Sequence, residues 1–408
     1  MKLRNQLLAI GCLLLFAAFG VFYVQLWVVQ KPFGIILFIS DGMVARHLTA
    51  ARLYEGGADH RLALESFPHL ALVSNQAHDF AVPDAAAAAT ALSTGTKVNH
   101  GNVASTPGGK PLRSILEIAK AQGRAVGIVS TAHLTDPTPA AFYAHASDAQ
   151  NRVGIAAQFA EVNLDVAFGG GSVDFLPEAK GGRRKDGRDL IAQLKTQRRE
   201  IVSTKAELEN AAAYRTSGIV GLFSAEGLAH SDQIESGSQQ PSLADMVRRA
   251  IECLQVNRTG YVLVIDAALV SKAAERNRGE RTITETIALD QAIATAVKYA
   301  GDKSLIIAVG KHATGGLSLN GYPPRKDHGV ALLGTHASGY PSLTWATGPN
   351  GPRPKAPAEA STEPAAFQTP AALNNAEDVI AIGRGDGAEK LRGFLDNTAI
   401  FRVLREAL

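Results

Sequence analysis

Gly34-Ile-Ile-Leu-Phe-Ile-Ser40, followed at once by Asp41-Gly42-Met43, is a short apolar run closed by an aspartate and a glycine. An apolar run of this length without alternation reads as a strand buried on both faces, as inside a parallel sheet. Similar runs recur at 69–74, 125–130, 164–168, 219–223, 261–265, 305–309 and 379–382. Helix-like patterns lie between several of them, at 43–54, 112–122, 189–197, 243–257 and 284–300. Strands alternating with helices predict an α/β fold, a largely parallel central sheet with helices on both faces. Ligand sites in such folds gather at the C-terminal ends of the strands. Asp41, Asp266 and the Lys311-His312 pair each stand at or just after the end of a strand-like run. The stretch 348–372, rich in Pro, Ala and Gly, reads as a long loop. Residues 396–408 read as a terminal helix with Phe401, Leu404 and Leu408 at helical spacing.

The 408 residues are 46% hydrophobic and 19% charged, ordinary for a large globular chain. A net charge of +3 argues against a dedicated nucleic-acid binder, which needs a concentrated basic face. The two cysteines, Cys12 and Cys253, form no disulfide framework. Lys2 and Arg4 precede 23 residues, Leu7–Val29, without a formal charge. At about 1.5 Å per residue this run spans a bilayer core of roughly 30 Å. The flanking cations favour a cytoplasmic N-terminus. The expected organisation is therefore a membrane anchor over 1–32, an uncleaved signal-anchor, and one domain over 33–408 held outside the inner (cytoplasmic) membrane, in the periplasm. Secretion after signal cleavage is the alternative.

Residues 81–97 carry the chemistry. Pro83 and Asp84 mark a helix start, with Asp84 as N-cap and five alanines, Ala85–Ala89, behind it. A helix N-terminus suits a phosphate-like anion. The first residue after the cap, where a nucleophile would sit, is Ala85, which has no lone pair to attack with. Tight helix packing by small residues is the plain alternative. Thr90 and Ser93 lie further along and point elsewhere by helical spacing.

The ordered segments Ile35–Met43, Val82–Gly95, Asp136–His145, Asp165–Gly171, Pro241–Met246, Leu263–Asp266, His312–Gly316, Glu377–Val379 and Arg392–Phe401 together resemble alkaline phosphatases. The resemblance covers nearly everything after the apolar N-terminus. It implies a phosphoserine intermediate beside two zinc ions and one magnesium ion. Carried over by position, it puts Ala85 at the nucleophile and Ala149 at the arginine that clamps the phosphate. Arg152 is near but out of register. The first zinc site holds Ser271, Glu275 and Asn374; the second holds Asp41, Lys311 and His312. The magnesium site holds Asp41, Thr138 and Asp266, with Asp136 as an outer acid.

Zinc takes imidazole, thiolate and carboxylate, so Ser271 and Asn374 predict an empty first site. Lys311 puts a cation where an anionic ligand belongs, and an ammonium there predicts a salt bridge to Asp41 in the metal's place. Asp41, Thr138 and Asp266 are hard-oxygen ligands that suit one Mg²⁺, although Asp266 is a methylene shorter than the glutamate implied. His312 is read either as a residual ligand or as a core histidine, and His145 as a core hydrogen-bonder. The basic run 272–281 reads as a solvated face, with anionic lipid or a partner as the alternative. Histidines such as His328 and His336 are unplaced by sequence. The leading expectation is a pseudophosphatase that binds a phosphate-like ligand or a partner, with a homodimer as a further expectation. The rival is a metal-dependent phosphomonoesterase that uses a metal-bound water.

Overall fold

The computed structural model describes residues 2–27, 31–214, 217–235, 237–320, 333, 341–352 and 363–408. His328 and His336 lie outside them. The strands are β1 (Gly34–Gly42), β2 (His69–Ser74), β3 (Ala125–His133), β4 (Val166–Gly170), β5 (Glu200–Val202), β6 (Ile219–Leu222) and β7 (Tyr261–Ala267). Then follow β8 (Leu305–Thr314), β9 (Ser318–Leu319), β10 (Leu343–Gly348), β11 (Ala365–Gln368), β12 (Asn374–Asn375), β13 (Val379–Arg384) and β14 (Arg392–Asp396). One 11-stranded sheet runs β14-β2-β13-β8-β1-β7-β3-β4-β6-β5, with β12 on the end of β8. It is mostly parallel; β13 runs against both β2 and β8. A small sheet of β11, β10 and β9 stands apart.

All nine residues of β1 are buried, as its unbroken apolar run requires. Its pleat divides the core in two. Ile35, Leu37 and Ile39 pack on one face with Val264, Ile307 and Val309. Ile36 and Phe38 pack on the other with Leu263, Ile265 and Ile306. Burial on both faces is what the helical layers provide.

One expectation needs correction. The stretch 348–372 is not all loop: Ala365–Gln368 form β11 beside β10, which ends at Gly348. Residues 353–362 of that stretch lie outside the described ones. At the N-terminus a helix does run Lys2–Trp27, but its described side chains cover only 4–20. Among the described residues no helix is long and apolar enough to cross a membrane. Cys12 and Cys253 form no disulfide among the described residues.

Candidate functional site

The C-terminal ends of β8, β1, β7 and β3, four neighbours in the centre of the sheet, bring the expected residues together. The pairing of β1 with β8 slips between Ser40 and Gly42. Ser40 faces Gly310 and Gly42 faces Ala313, so Lys311 and His312 both stand opposite Asp41. Such a bulge re-aims side chains at a strand end. Gly42 takes φ +80°, and a side chain there would press on Ser271 and Thr314 at 3.2 Å. The turn after β1 therefore needs its glycine.

Lys311 Nζ lies 2.7 Å from Asp41 Oδ1. Its ammonium is fully buried and also donates to Thr138 Oγ1, on the short helix Pro137–Ala140. The Asp41 contact is electrostatic rather than a directed hydrogen bond, because no donor meets Oδ1 at a hydrogen-bonding angle among the described residues. Asp266, at the end of β7, is completely buried. Ser130 Oγ donates to its Oδ2 at 2.7 Å. Burial, and then the charge of Asp41, push the Asp266 carboxyl up to about 8, so it is largely neutral at pH 7. His312 is pushed down to about 3 by burial and then by Lys311, and is neutral. Its Nδ1 lies 3.1 Å from Thr314 Oγ1.

Ala85 opens the helix Ala85–Thr94. Asp84 caps it, accepting from Ala87 N–H at 2.8 Å and from Gly101 N–H at 2.7 Å. The N–H groups of Ala85 and Ala86 make no hydrogen bond among the described residues. Ala149 is buried and donates its N–H to Gly101 O at 2.8 Å. His145 is half-buried rather than in the core, with Nδ1 2.8 Å from Ala104 O and Nε2 3.1 Å from Glu117 Oε1.

Two cations reach this centre: Arg152, which the sequence puts near but out of register with the clamp, and Lys272, from the basic run expected to be a solvated face. The Arg152 guanidinium pairs with Asp136. The Lys272 ammonium lies 3.3 Å from Glu275 Oε1. Burial alone would lower the pKa of Lys272, but the carboxylates of Glu275, Asp136 and Asp41 outweigh it and hold it above the usual value. The Lys272–Glu275 spacing of three on a helical turn was the available signal. Its direction into the cleft was not visible.

A metal fits this donor set poorly. Ser271 Oγ donates to Ala268 O at 3.0 Å. Asn374 accepts from Thr314 Oγ1 at 3.1 Å and donates to Pro83 O at 3.2 Å. Glu275 is engaged with Lys272. Lys311 occupies both Asp41 and Thr138, two of the three oxygen ligands expected for magnesium. A divalent cation would have to displace that ammonium. Among the described residues no group of three or more His, Cys, Asp or Glu is placed to hold a metal.

The candidate site thus lies at the C-terminal strand ends of an α/β domain, beside the N-terminus of the helix Ala85–Thr94. The alkaline phosphatase family profile matches residues 34–408, and the chain belongs to that family. It is 31% identical over 314 residues to alkaline phosphatase 4 of Bacillus subtilis, covering 74% of this chain and 65% of the relative. It is 30% identical over 352 residues to the membrane-bound alkaline phosphatase of Bombyx mori, covering 74% of this chain and 63% of the relative. The chain thus spans just under two thirds of both. The crystal structure of Thermus thermophilus alkaline phosphatase superposes with a TM-score of 0.75 at 25% identity, over 93% of this chain and 92% of that one.

Proposed function

We propose that this domain is a catalytically impaired alkaline phosphatase relative that binds a phosphate-like anion instead of hydrolysing its esters. The observation that carries the reading is the Lys311 ammonium, 2.7 Å from Asp41 and hydrogen-bonded to Thr138. It supplies positive charge where the resemblance implies a metal, but it cannot activate water as a Lewis acid does. The N–H groups of Ala85 and Ala86, which make no hydrogen bond among the described residues, suit an anion, for which Lys272 and Arg152 would exchange their present carboxylate partners. Ala85 offers no nucleophile and Ala149 no clamp.

The same proposal holds the domain outside the cytoplasm on the N-terminal helix. Leu7, Leu8, Ile10, Leu13, Leu14, Leu15, Phe16 and Phe19 are 57–83% exposed, which only a lipid or protein environment would cover favourably. One relative, from Bombyx mori, is named as membrane-bound.

Calorimetry with inorganic phosphate and hydrolysis of p-nitrophenyl phosphate, both on the full chain, test the proposal. Expected are saturable phosphate binding, about tenfold weaker in Lys272→Ala, and no turnover above buffer with Zn²⁺ and Mg²⁺. Turnover lost in Asp41→Ala would overturn the proposal in favour of a metal-dependent phosphomonoesterase.

A further inference from the structure

Given the anion-binding reading of the candidate site, on which this rests, we infer that its ligand carries a second phosphoryl group, which is received by a cavity next to the site. That cavity, of about 390 Å³, is lined by Gln150, Asn151, Arg152, Val153, Asp174 and Arg183. It has room for a group of a small-molecule ligand. Arg152 belongs to both places. It lines the cavity, and its guanidinium pairs with Asp136, two residues before Thr138. Arg184, only 1% exposed, ties two walls of the cavity together. It donates to Val153 O at 2.8 Å and to Asp174 O at 3.4 Å. The fold itself therefore shapes the cavity.

The lining offers an excess of donors. Asp174 is wholly buried and its carboxylate is already engaged. Its Oδ1 accepts from Arg183 at 3.0 Å, and its Oδ2 accepts from Thr135 and meets His133 Nδ1 at 2.8 Å. Asn151 Oδ1 accepts from Gly154 N–H at 3.0 Å. Left over are N–H groups of two guanidiniums and of the Asn151 amide, and the side chain of Gln150, whose backbone alone is hydrogen-bonded among the described residues. A hydroxyl-bearing group would need acceptors as well as donors, so this lining suits anionic oxygens. Arg183 supplies the exchangeable contact. It is 44% exposed, and one of its nitrogens holds Glu226, itself 59% exposed, at 2.6 and 2.7 Å. An exposed ion pair contributes little, so an incoming phosphoryl group takes the place of Glu226 at small cost. Asp174 keeps the other nitrogen and holds the guanidinium fork in place for a two-point contact.

The test is calorimetry on the full chain with inorganic phosphate and with inorganic tripolyphosphate. Tripolyphosphate is expected to bind at least about tenfold more tightly, because one end fills the candidate site while another reaches the cavity. Arg183→Ala and Gln150→Glu, each alone, are expected to bring it back to within about twofold of phosphate. Both variants are expected to bind phosphate as the parent does, which also shows that they fold. Arg152→Ala, at the shared wall, is expected to weaken both ions. Lys195→Ala, at an exposed cation on the helix Leu190–Thr196, is expected to change neither. Equal affinity of the parent for the two ions would overturn the inference and leave the reading of the site intact. A tripolyphosphate preference that survives both Arg183→Ala and Gln150→Glu would do the same. No binding of phosphate by the parent would overturn the reading of the site, and the inference with it.

Discussion

Lys311→Met is expected to lower the unfolding free energy by about 3 kcal/mol at pH 7, because it leaves Asp41 unpaired in a buried site. Lys311 Nζ is the close cation of Asp41 at 2.7 Å, and its side chain is wholly buried. Removing one partner of such a pair costs far more than the pair itself contributes, since the survivor keeps its desolvation penalty. Thr138 Oγ1 also loses its ammonium donor. The double variant Asp41→Asn/Lys311→Met is accordingly expected to regain most of the loss. Urea unfolding of the parent, both singles and the double closes this cycle. Additive losses would mean that the two groups do not act as a pair.

The second large effect concerns activity. Ala85→Ser alone is expected to leave p-nitrophenyl phosphate hydrolysis at background. The hydroxyl would stand at the helix N-terminus, but the surrounding donor set fits no metal ion to deprotonate it or to stabilise the leaving oxygen. The resemblance identifies six lost positions: Ala85, Ala149, Ser271, Glu275, Lys311 and Asn374. Reversing all six, with Ala85→Ser, Ala149→Arg, Ser271→Asp, Glu275→His, Lys311→Asp and Asn374→His, is expected to exceed Ala85→Ser in kcat/KM by at least about a thousandfold with zinc and magnesium supplied. Groups that act as a unit fail together and return together. A clear gain from Ala85→Ser alone would show that the metal ligands are better than the geometry indicates.

Much of the central sheet was legible from composition along the chain. Strand β2 lies where its run predicts, and β1, β3, β7 and β8 start where theirs do. Strands β1, β3, β7 and β8 are buried along their whole length and their apolar side chains serve both cores, so the signal needs no context. The edge was not legible. Strands β5, β9, β12 and β14 have two to five residues, too few to show a period. Strand β11 sits in a Pro- and Ala-rich stretch that hid it. At the site, Asp41 and Lys311 were legible because they close apolar runs whose strand ends have few directions to take, whereas Thr138, on the short helix Pro137–Ala140, was placed only by the resemblance. Lys272 and Arg152 were not, since long flexible side chains are aimed by tertiary packing. The neutral state of Asp266 also depends on its complete burial and on Asp41 across the strand pair, neither visible in one dimension.

The central proposal is that an ammonium stands where the resemblance implies a divalent ion. Its most direct test is the zinc and magnesium content of the purified full chain, measured by inductively coupled plasma mass spectrometry after loading with both ions and dialysis. The proposal predicts far less than one ion of either metal per chain, and retention of zinc only after Lys311→Asp is combined with the other ligand reversals. One zinc held tightly per parent chain would contradict it.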